Sequence, residues 1–165
     1  MARKFNIKDL VPRKNSTTKS GYYQVLNLSK YVGDPGKVIY RSSWEFRFCR
    51  FCDSNPNVLA WSSETIRVPY AHPIYGDTRT YNVDFYMKVK KEDGTIIDYI
   101  VEVKPAKKLL KPQLPKSHLT EKRMLAHNTQ MQEYLINMHK FEAAKKWAAD
   151  RKWQFIIVTE QFLYG

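Results

Sequence analysis

The sequence predicts an α/β fold in which a mixed β-sheet lies between helices. Residues 42–53 follow a helical period. Two long alternating segments then flank the turn Glu92-Asp93-Gly94. A long helical segment over residues 120–150 precedes a short apolar segment at residues 153–159. This order places strands between two helices, and 165 residues are enough for one domain with its own core.

Residues 1–38 are basic and rich in turn formers, and they predict an N-terminal arm separate from a domain of residues 39–165. The stretch from Lys14 to Gly21 has no apolar periodicity, which is typical of an extended or mobile segment. We expect part of the arm to become ordered on a partner. The basic residues it carries include Arg3, Lys4, Lys8, Arg13, Lys14, Lys19 and Lys30.

The first helix is predicted to begin at Ser42 or Ser43 and to end near Pro56, since proline disfavours a helical residue before it. Ser42 and Glu45 have the spacing of a capping box. Cys49 and Cys52 lie within this helix, with no second pair that would complete a zinc site. We therefore interpret both cysteines as core residues rather than as metal ligands or a redox motif.

Strands are predicted at residues 58–61, 65–70, 81–90 and 96–104, and Pro105 ends the last of them. A basic, proline-containing connector follows over residues 104–123. In the helix of residues 120–150, one apolar stripe is interpreted as core, and residues 153–159 as a strand that is buried on both faces. The stripe consists of Met124, Met131, Tyr134, Leu135, Met138 and Phe141.

The charge balance indicates a polyanionic partner. Lysine and arginine number 28 against 16 acidic residues, a net charge of +12. Such an excess is typical of nucleic-acid binding, because each neutralised phosphate releases counterions. No apolar run is long enough to span a membrane, and the first residues lack the apolar stretch of a signal peptide. We therefore expect an intracellular protein without a membrane partner.

The candidate site follows from the two-residue period of the long strands. Tyr81, Val83, Phe85, Met87 and Val89 are predicted to share one face, with Asp84 on the other. A three-residue loop that pairs Lys91 with Thr95 sets Asp84 opposite Glu102. Lys104 then lies on the same polar face as both carboxylates.

Two carboxylates held side by side repel each other, and a divalent cation between them removes that cost. Oxygen ligands suit Mg²⁺ or Mn²⁺, which keep waters and bind phosphate. Lys104 could orient an attacking water or stabilise charge on a phosphate. Asp84, Glu102 and Lys104 therefore predict metal-assisted hydrolysis of phosphodiester bonds.

Asp84 followed by Glu102-Val103-Lys104 resembles the signature of the PD-(D/E)xK nucleases, which share a restriction-endonuclease-like core of order α-β-β-β-α-β. The resemblance implies that Glu45, on the preceding helix, completes the catalytic set. It implies metal binding by Asp84, Glu102, the Val103 carbonyl and Glu45. Val83 stands where the family has proline, a change that removes no ligand.

A wider resemblance, over roughly residues 39–160, is to the head completion nucleases of large tailed phages and to end-cleaving endonuclease subunits of bacterial transposons. It is carried by the strings Tyr40–Glu45, Trp61–Glu64, Val68–Tyr70, Val83–Tyr86, Val101–Pro105, Asn137–Lys140 and Phe155–Glu160. It implies a Mg²⁺-dependent DNA endonuclease with little sequence preference, acting in head completion. Portal or head-completion proteins are the further partners it implies, in the host cytoplasm during assembly or in the virion.

Several alternatives stay open. The chain could be a structural head–neck protein with a vestigial site, or a junction or transposon-end nuclease. Glu45 could serve only as the helix cap, and Glu64 is interpreted as an ordinary strand residue rather than a further acid. Gln130, Asn137 and Lys140, on the polar side of the late helix, could support the site or simply be solvated.

Overall fold

A computed structural model describes residues 20–164, and these form three helices and six strands. The basic residues of the predicted arm from Arg3 to Lys19 lie outside the described residues. The elements in chain order are β1 (Gly21–Tyr22), β2 (Ile39–Tyr40), α1 (Ser43–Ser54), β3 (Val58–Ala71), β4 (Thr78–Lys90), β5 (Ile96–Val103), α2 (Glu121–Asp150), β6 (Gln154–Val158) and α3 (Glu160–Tyr164).

The main sheet has the strand order β3-β4-β5-β6. The first three strands are antiparallel and β6 is parallel to β5, so the predicted mixed sheet is confirmed. Phe48, Cys49 and Cys52 of α1 belong to one buried cluster, while Phe141 and Ala144 of α2 belong to a second. The two helices therefore cover different parts of the sheet, and both cysteines are core residues as predicted.

The predicted strands at 58–61 and 65–70 are one strand, β3, interrupted by a bulge between Ser63 and Ile66. Glu64 adopts a positive φ of 56° there, which a non-glycine residue rarely does. The bulge increases the local twist. A second difference from prediction lies on β4: Tyr81 and Val83 pack in the α2 cluster, whereas Phe85 of the same strand packs in the α1 cluster.

The hairpin of β4 and β5 has the predicted register. Its turn is closed by the Lys91 amide, which donates to the Thr95 carbonyl over 2.8 Å, and Gly94 has a φ of +85°. The last strand pair away from the turn is Phe85 with Val101. Asp84 and Glu102 are the next residues beyond that pair, and the charge of Glu102 acts on Asp84.

Residues 20–38 differ from the extended arm that the sequence predicts. Tyr23 and Val25 are buried in the α1 cluster. The buried carboxylate of Asp53, in the last turn of α1, accepts hydrogen bonds from the Tyr23 hydroxyl (2.9 Å) and from the amides of Leu26 (2.7 Å) and Asn27 (3.0 Å). These apolar and polar contacts hold the segment against the domain.

Helix α2 has the predicted bounds, but its apolar stripe is buried only in the second half. Phe141, Ala144 and Ala148 are buried, whereas Met124 and Leu135 are exposed. The first turns of α2 are largely exposed. An apolar period in the sequence does not show whether a neighbouring element covers that stripe. Strand β6 is likewise an edge strand of mostly intermediate burial rather than a fully buried one. Among the described residues, no helix has the length and apolarity needed to cross a bilayer.

Candidate active site

The candidate site lies beside α2, at the end of the paired region of β4 and β5 that is farther from the turn. Asp84 of β4 and Glu102 of β5 follow the last paired residues of the hairpin. The Val103 amide donates to Asp84 Oδ2 over 2.9 Å, which fixes that carboxylate against β5. The hairpin therefore determines both the position and the orientation of the first acid.

Glu102 is a buried carboxylate with two partners. Lys104 Nζ lies 3.2 Å from Glu102 Oε1, and the Tyr81 hydroxyl donates to Glu102 Oε2. The Lys104 ammonium also lies 5.3 Å from the centroid of the Phe141 ring on α2. Lys104 therefore lies between the Glu102 carboxylate, two residues earlier on β5, and the Phe141 ring on α2.

The electrostatics of the pair agree with the repulsion expected of facing carboxylates. Burial raises the pKa of Asp84 well above its usual value, and the charge of Glu102 raises it further. The Val103 amide and the Lys104 ammonium lower the pKa of Asp84 but do not cancel these effects. The site therefore holds negative charge that the described protein groups leave incompletely balanced.

Glu45 lies at the start of α1. Ser42 Oγ accepts from the Glu45 amide over 3.1 Å, so the predicted helix cap is present. The Glu45 carboxylate accepts from the Arg41 amide over 2.8 Å, one residue before the capping residue. Burial raises the pKa of Glu45, and the charges of Glu64 and Glu102 add to that effect. Ser42 therefore caps α1, whereas the Glu45 carboxylate bonds the Arg41 amide rather than the Ser42 amide of a capping box. The charge of Glu45 also raises the pKa of Asp84, after the larger effects of burial and Glu102.

Glu64 is more than an ordinary strand residue, because it forms the β3 bulge with its positive φ. Its carboxylate accepts from both terminal nitrogens of Arg41, at 2.5 and 3.3 Å. Arg41 thus contacts Glu64 through its side chain and Glu45 through its backbone. The Arg41 guanidinium is bonded to Glu64 and not to Glu45, so of these two acids only Glu64 has an ion-pair partner among the described residues.

Two residues near the acids lie outside the predicted catalytic set. Tyr81 was predicted to lie on the face of β4 opposite Asp84, but its hydroxyl donates to Glu102 Oε2. Lys140 of α2 is half-buried, with Nζ 5.6 Å from the Tyr70 ring centroid and 5.5 Å from that of Tyr81. Burial lowers the pKa of Lys140, while the charges of Glu102 and Asp84 raise it. Lys140 therefore belongs to the surroundings of the acids, an alternative that the sequence left open.

Residues 55–160 match the family of TnsA-like endonuclease N-terminal domains. The chain belongs to the TnsA-like endonuclease family. It is also 37% identical over 144 residues to the head completion nuclease of Enterobacteria phage T4, an alignment that covers 87% of this chain and 93% of that protein. The core order α-β-β-β-α-β fits the restriction-endonuclease-like fold predicted from the nuclease resemblance, which is confirmed.

The TnsA-like match includes Asp84, Glu102 and Lys104, whereas Glu45 lies before it. Within residues 20–164, no three side chains of histidine, cysteine, aspartate or glutamate are grouped so as to hold a metal ion. Glu45 is therefore not gathered with Asp84 and Glu102 into one ligand cluster. Direct metal binding by Glu45 and by the Val103 carbonyl stays a prediction.

The donor set nevertheless fits a hard divalent cation. Asp84 and Glu102 offer carboxylate oxygens, and Asp84 carries a pKa that their mutual repulsion raises. Mg²⁺ is commonly bound by one or two carboxylates together with waters and substrate phosphate rather than by a complete protein cage. Two acids in this endonuclease-family site are thus enough for such an ion.

Proposed function

We propose that this protein is a Mg²⁺-dependent DNA endonuclease that acts in phage head completion, with Mn²⁺ as an alternative ion. The observation that carries the proposal is the convergence of Asp84, Glu102 and Lys104 beside α2 in a chain of the TnsA-like endonuclease family. Buried acids that repel each other are unfavourable for stability, and a catalytic cation explains why they are kept.

In this proposal Asp84 and Glu102 hold the ion, with the Val103 carbonyl as a further ligand. The ion supplies Lewis acidity and lowers the pKa of bound water. The Val103 amide holds one carboxylate of the pair and the Tyr81 hydroxyl holds the other, so that both keep their orientation when DNA arrives.

Lys104 is proposed to orient the attacking water and to stabilise charge on the scissile phosphate. Its ammonium lies 3.2 Å from Glu102 and is largely shielded from solvent, so it acts at a defined place. Glu45 is proposed to orient a water or a second ion, since its charge acts on Asp84 and the charge of Glu102 acts on Glu45. The four catalytic residues are thus Glu45, Asp84, Glu102 and Lys104.

DNA binding is proposed to be largely independent of sequence. The net charge is +12, and the connector adds lysines directly after the catalytic strand. Backbone contacts by such residues give affinity that falls steeply with salt and carries no direct sequence information. The cations of residues 1–19 would add to this grip.

Cleavage of supercoiled plasmid in Mg²⁺ tests the enzymatic part of the proposal. Asp84→Ala should cleave at least about 100-fold more slowly than wild type, since removing one charge-stabilising group typically costs 10²–10³ in rate. Lys146→Ala, an exposed change on α2, serves as the control and should cleave normally. Equal cleavage by wild type and Asp84→Ala would remove the assignment.

The assembly role is proposed by similarity to the T4 head completion nuclease. Host cytoplasm during assembly, and then the virion, are the proposed locations, with portal or head-completion proteins as partners. Cells that supply this chain should restore plaque formation to a T4 mutant lacking its own head completion nuclease, and cells that supply Asp84→Ala should not. Restoration by both would favour a structural head–neck protein with a vestigial site.

A further inference from the structure

A cavity of about 330 Å³ lies between the connector and α2, outside the catalytic centre. One wall carries three lysines of the connector, Lys107, Lys108 and Lys111. The other wall is built by α2. Its volume is at the lower end of the range of about 300–1,000 Å³ found for small-molecule sites. The space is therefore suited to a group about the size of one nucleotide.

The α2 wall is formed by polar and aromatic side chains. Gln130 and Asn137 provide amide donors and acceptors, and Tyr134 provides a partly buried ring between them. Within residues 20–164, that ring is not paired with another aromatic ring. Glu133 is the one acid of the lining and is exposed, so three cations outweigh it. The cavity thus combines positive charge, amides and a flat apolar surface.

Both walls of the cavity lead along the chain to residues of the catalytic centre. Lys107 follows the catalytic Lys104 by three residues, through Pro105 and a short 3₁₀ turn. Asn137 precedes Phe141, whose ring lies beside Lys104, by one turn of α2, or about 6 Å along the helix axis. Nucleotides rise about 3.4 Å per strand in duplex DNA. Tyr134 precedes Phe141 by seven residues, or about 10 Å, so the cavity would lie about two to three nucleotides from a phosphate bound at Lys104.

We propose that this cavity binds one unpaired nucleotide of the DNA strand that is cut, with its phosphate on the lysines and its base against Tyr134. The inference rests on the proposed nuclease function and specifies its substrate. A base that stacks on an aromatic ring must leave the duplex stack, whereas a phosphate grip alone would accept flush duplex. The preferred substrate therefore has an unpaired nucleotide near the cut, as at a gap, an overhang or a junction.

Binding of short fluorescein-labelled DNA to the Glu102→Gln protein, which removes cleavage, tests the cavity by fluorescence anisotropy. A single abasic residue is moved position by position along an overhang. At one position it should weaken binding about 10-fold, within the range measured for single base–aromatic stacks. Adding Tyr134→Ala should weaken binding of intact DNA to the same degree and abolish the dependence on the abasic position.

The lysines are tested in the same background. Lys107→Ala with Lys108→Ala should weaken binding and reduce the salt dependence by up to about two phosphate contacts, with the abasic profile kept. The matched control is Lys146→Ala, which removes an exposed lysine on the side of α2 opposite Asn137. It should leave the abasic profile unchanged.

The proposal is overturned if no abasic position weakens binding, or if Tyr134→Ala leaves the profile intact. It is also overturned if flush duplex binds as tightly as DNA with an overhang. These results would leave the nuclease assignment standing, because plasmid cleavage by the unmodified protein tests that separately. Conversely, a protein that shows the abasic profile but does not cleave DNA would retain the cavity and lose the nuclease function.

Discussion

The Val103 amide donates to Asp84 Oδ2 over 2.9 Å, across the β4–β5 hairpin. This bond holds an acid whose ionisation is opposed by burial and by Glu102. The strand that carries Glu102 and Lys104 therefore also orients their partner. A backbone donor is suited to this task because substitution of a side chain does not remove it.

The metal-free protein should be stabilised by Asp84→Asn, because the amide keeps an acceptor for Val103 and removes the charge. The pKa of Asp84 is raised in the folded protein, so ionisation is penalised there and not in the unfolded chain. Both states are protonated below about pH 4. Wild-type stability is therefore lost progressively as the pH rises from there through the folded-state pKa.

Thermal unfolding in EDTA across this pH range checks the effect. At neutral pH the Tm of Asp84→Asn should exceed that of wild type by about 2 °C or more, the shift that corresponds to roughly 1 kcal/mol at this chain length. The difference should vanish toward about pH 4. A lower Tm for Asp84→Asn at neutral pH would contradict the account of the acid pair.

Tyr81→Phe should weaken metal-dependent cleavage while preserving the fold. The change removes the hydroxyl that donates to Glu102 but keeps the ring, which lies 6.5 Å from that of Phe141. Loss of a group that orients a metal ligand typically costs about 10–100-fold in metal affinity or activity. The concentration of Mg²⁺ at half-maximal rate should rise accordingly, with Tyr22→Phe, an exposed tyrosine, as control.

Lys104→Ala should lower kcat at least about 100-fold with little change in the affinity for DNA. The ammonium lies 3.2 Å from Glu102 and contributes to the field at the centre, whereas many other cations remain for binding DNA. Single-turnover cleavage and anisotropy separate the two quantities. A parallel loss of both would assign Lys104 to DNA binding instead.

Asp53→Ala should destabilise the protein by about 2–5 kcal/mol, because it leaves the Tyr23 hydroxyl and the Leu26 and Asn27 amides without their acceptor. Urea unfolding measures the loss, with the exposed Asp150→Ala as control. Amide hydrogen exchange should increase first over residues 21–38. Equal protection of residues 21–38 in Asp53→Ala and in Asp150→Ala would show that apolar contacts alone hold this segment against the domain.

The strand period and the Glu92-Asp93-Gly94 turn were sufficient to predict the hairpin register as far as Phe85 and Val101, the pair next to Asp84 and Glu102. Once the turn fixes which residues pair, the two-residue period determines which side chains share a face. The cap of α1 at Ser42 was likewise readable from local sequence. These features depend on neighbours in the chain, which one sequence displays directly.

The features that escaped prediction depend on tertiary structure. No local signal marks Glu64 as a bulge residue, so the sequence predicts two strands where the structure has β3. The hydrogen bond from Tyr81 to Glu102 likewise depends on tertiary structure. Residues 20–38 read as an arm because their stabilisation comes from Asp53, distant in the chain. The exposed start of α2 has the same apolar period as its buried second half. The period alone therefore could not show which part of the helix packs against the sheet.

Anomalous diffraction from crystals grown with Mn²⁺ tests the central claim most directly. The account predicts one peak between Asp84 and Glu102, about 2 Å from a carboxylate oxygen of each, and its loss in Asp84→Ala. A peak bound elsewhere, or an empty pair of acids at a Mn²⁺ concentration that supports DNA cleavage, would contradict it.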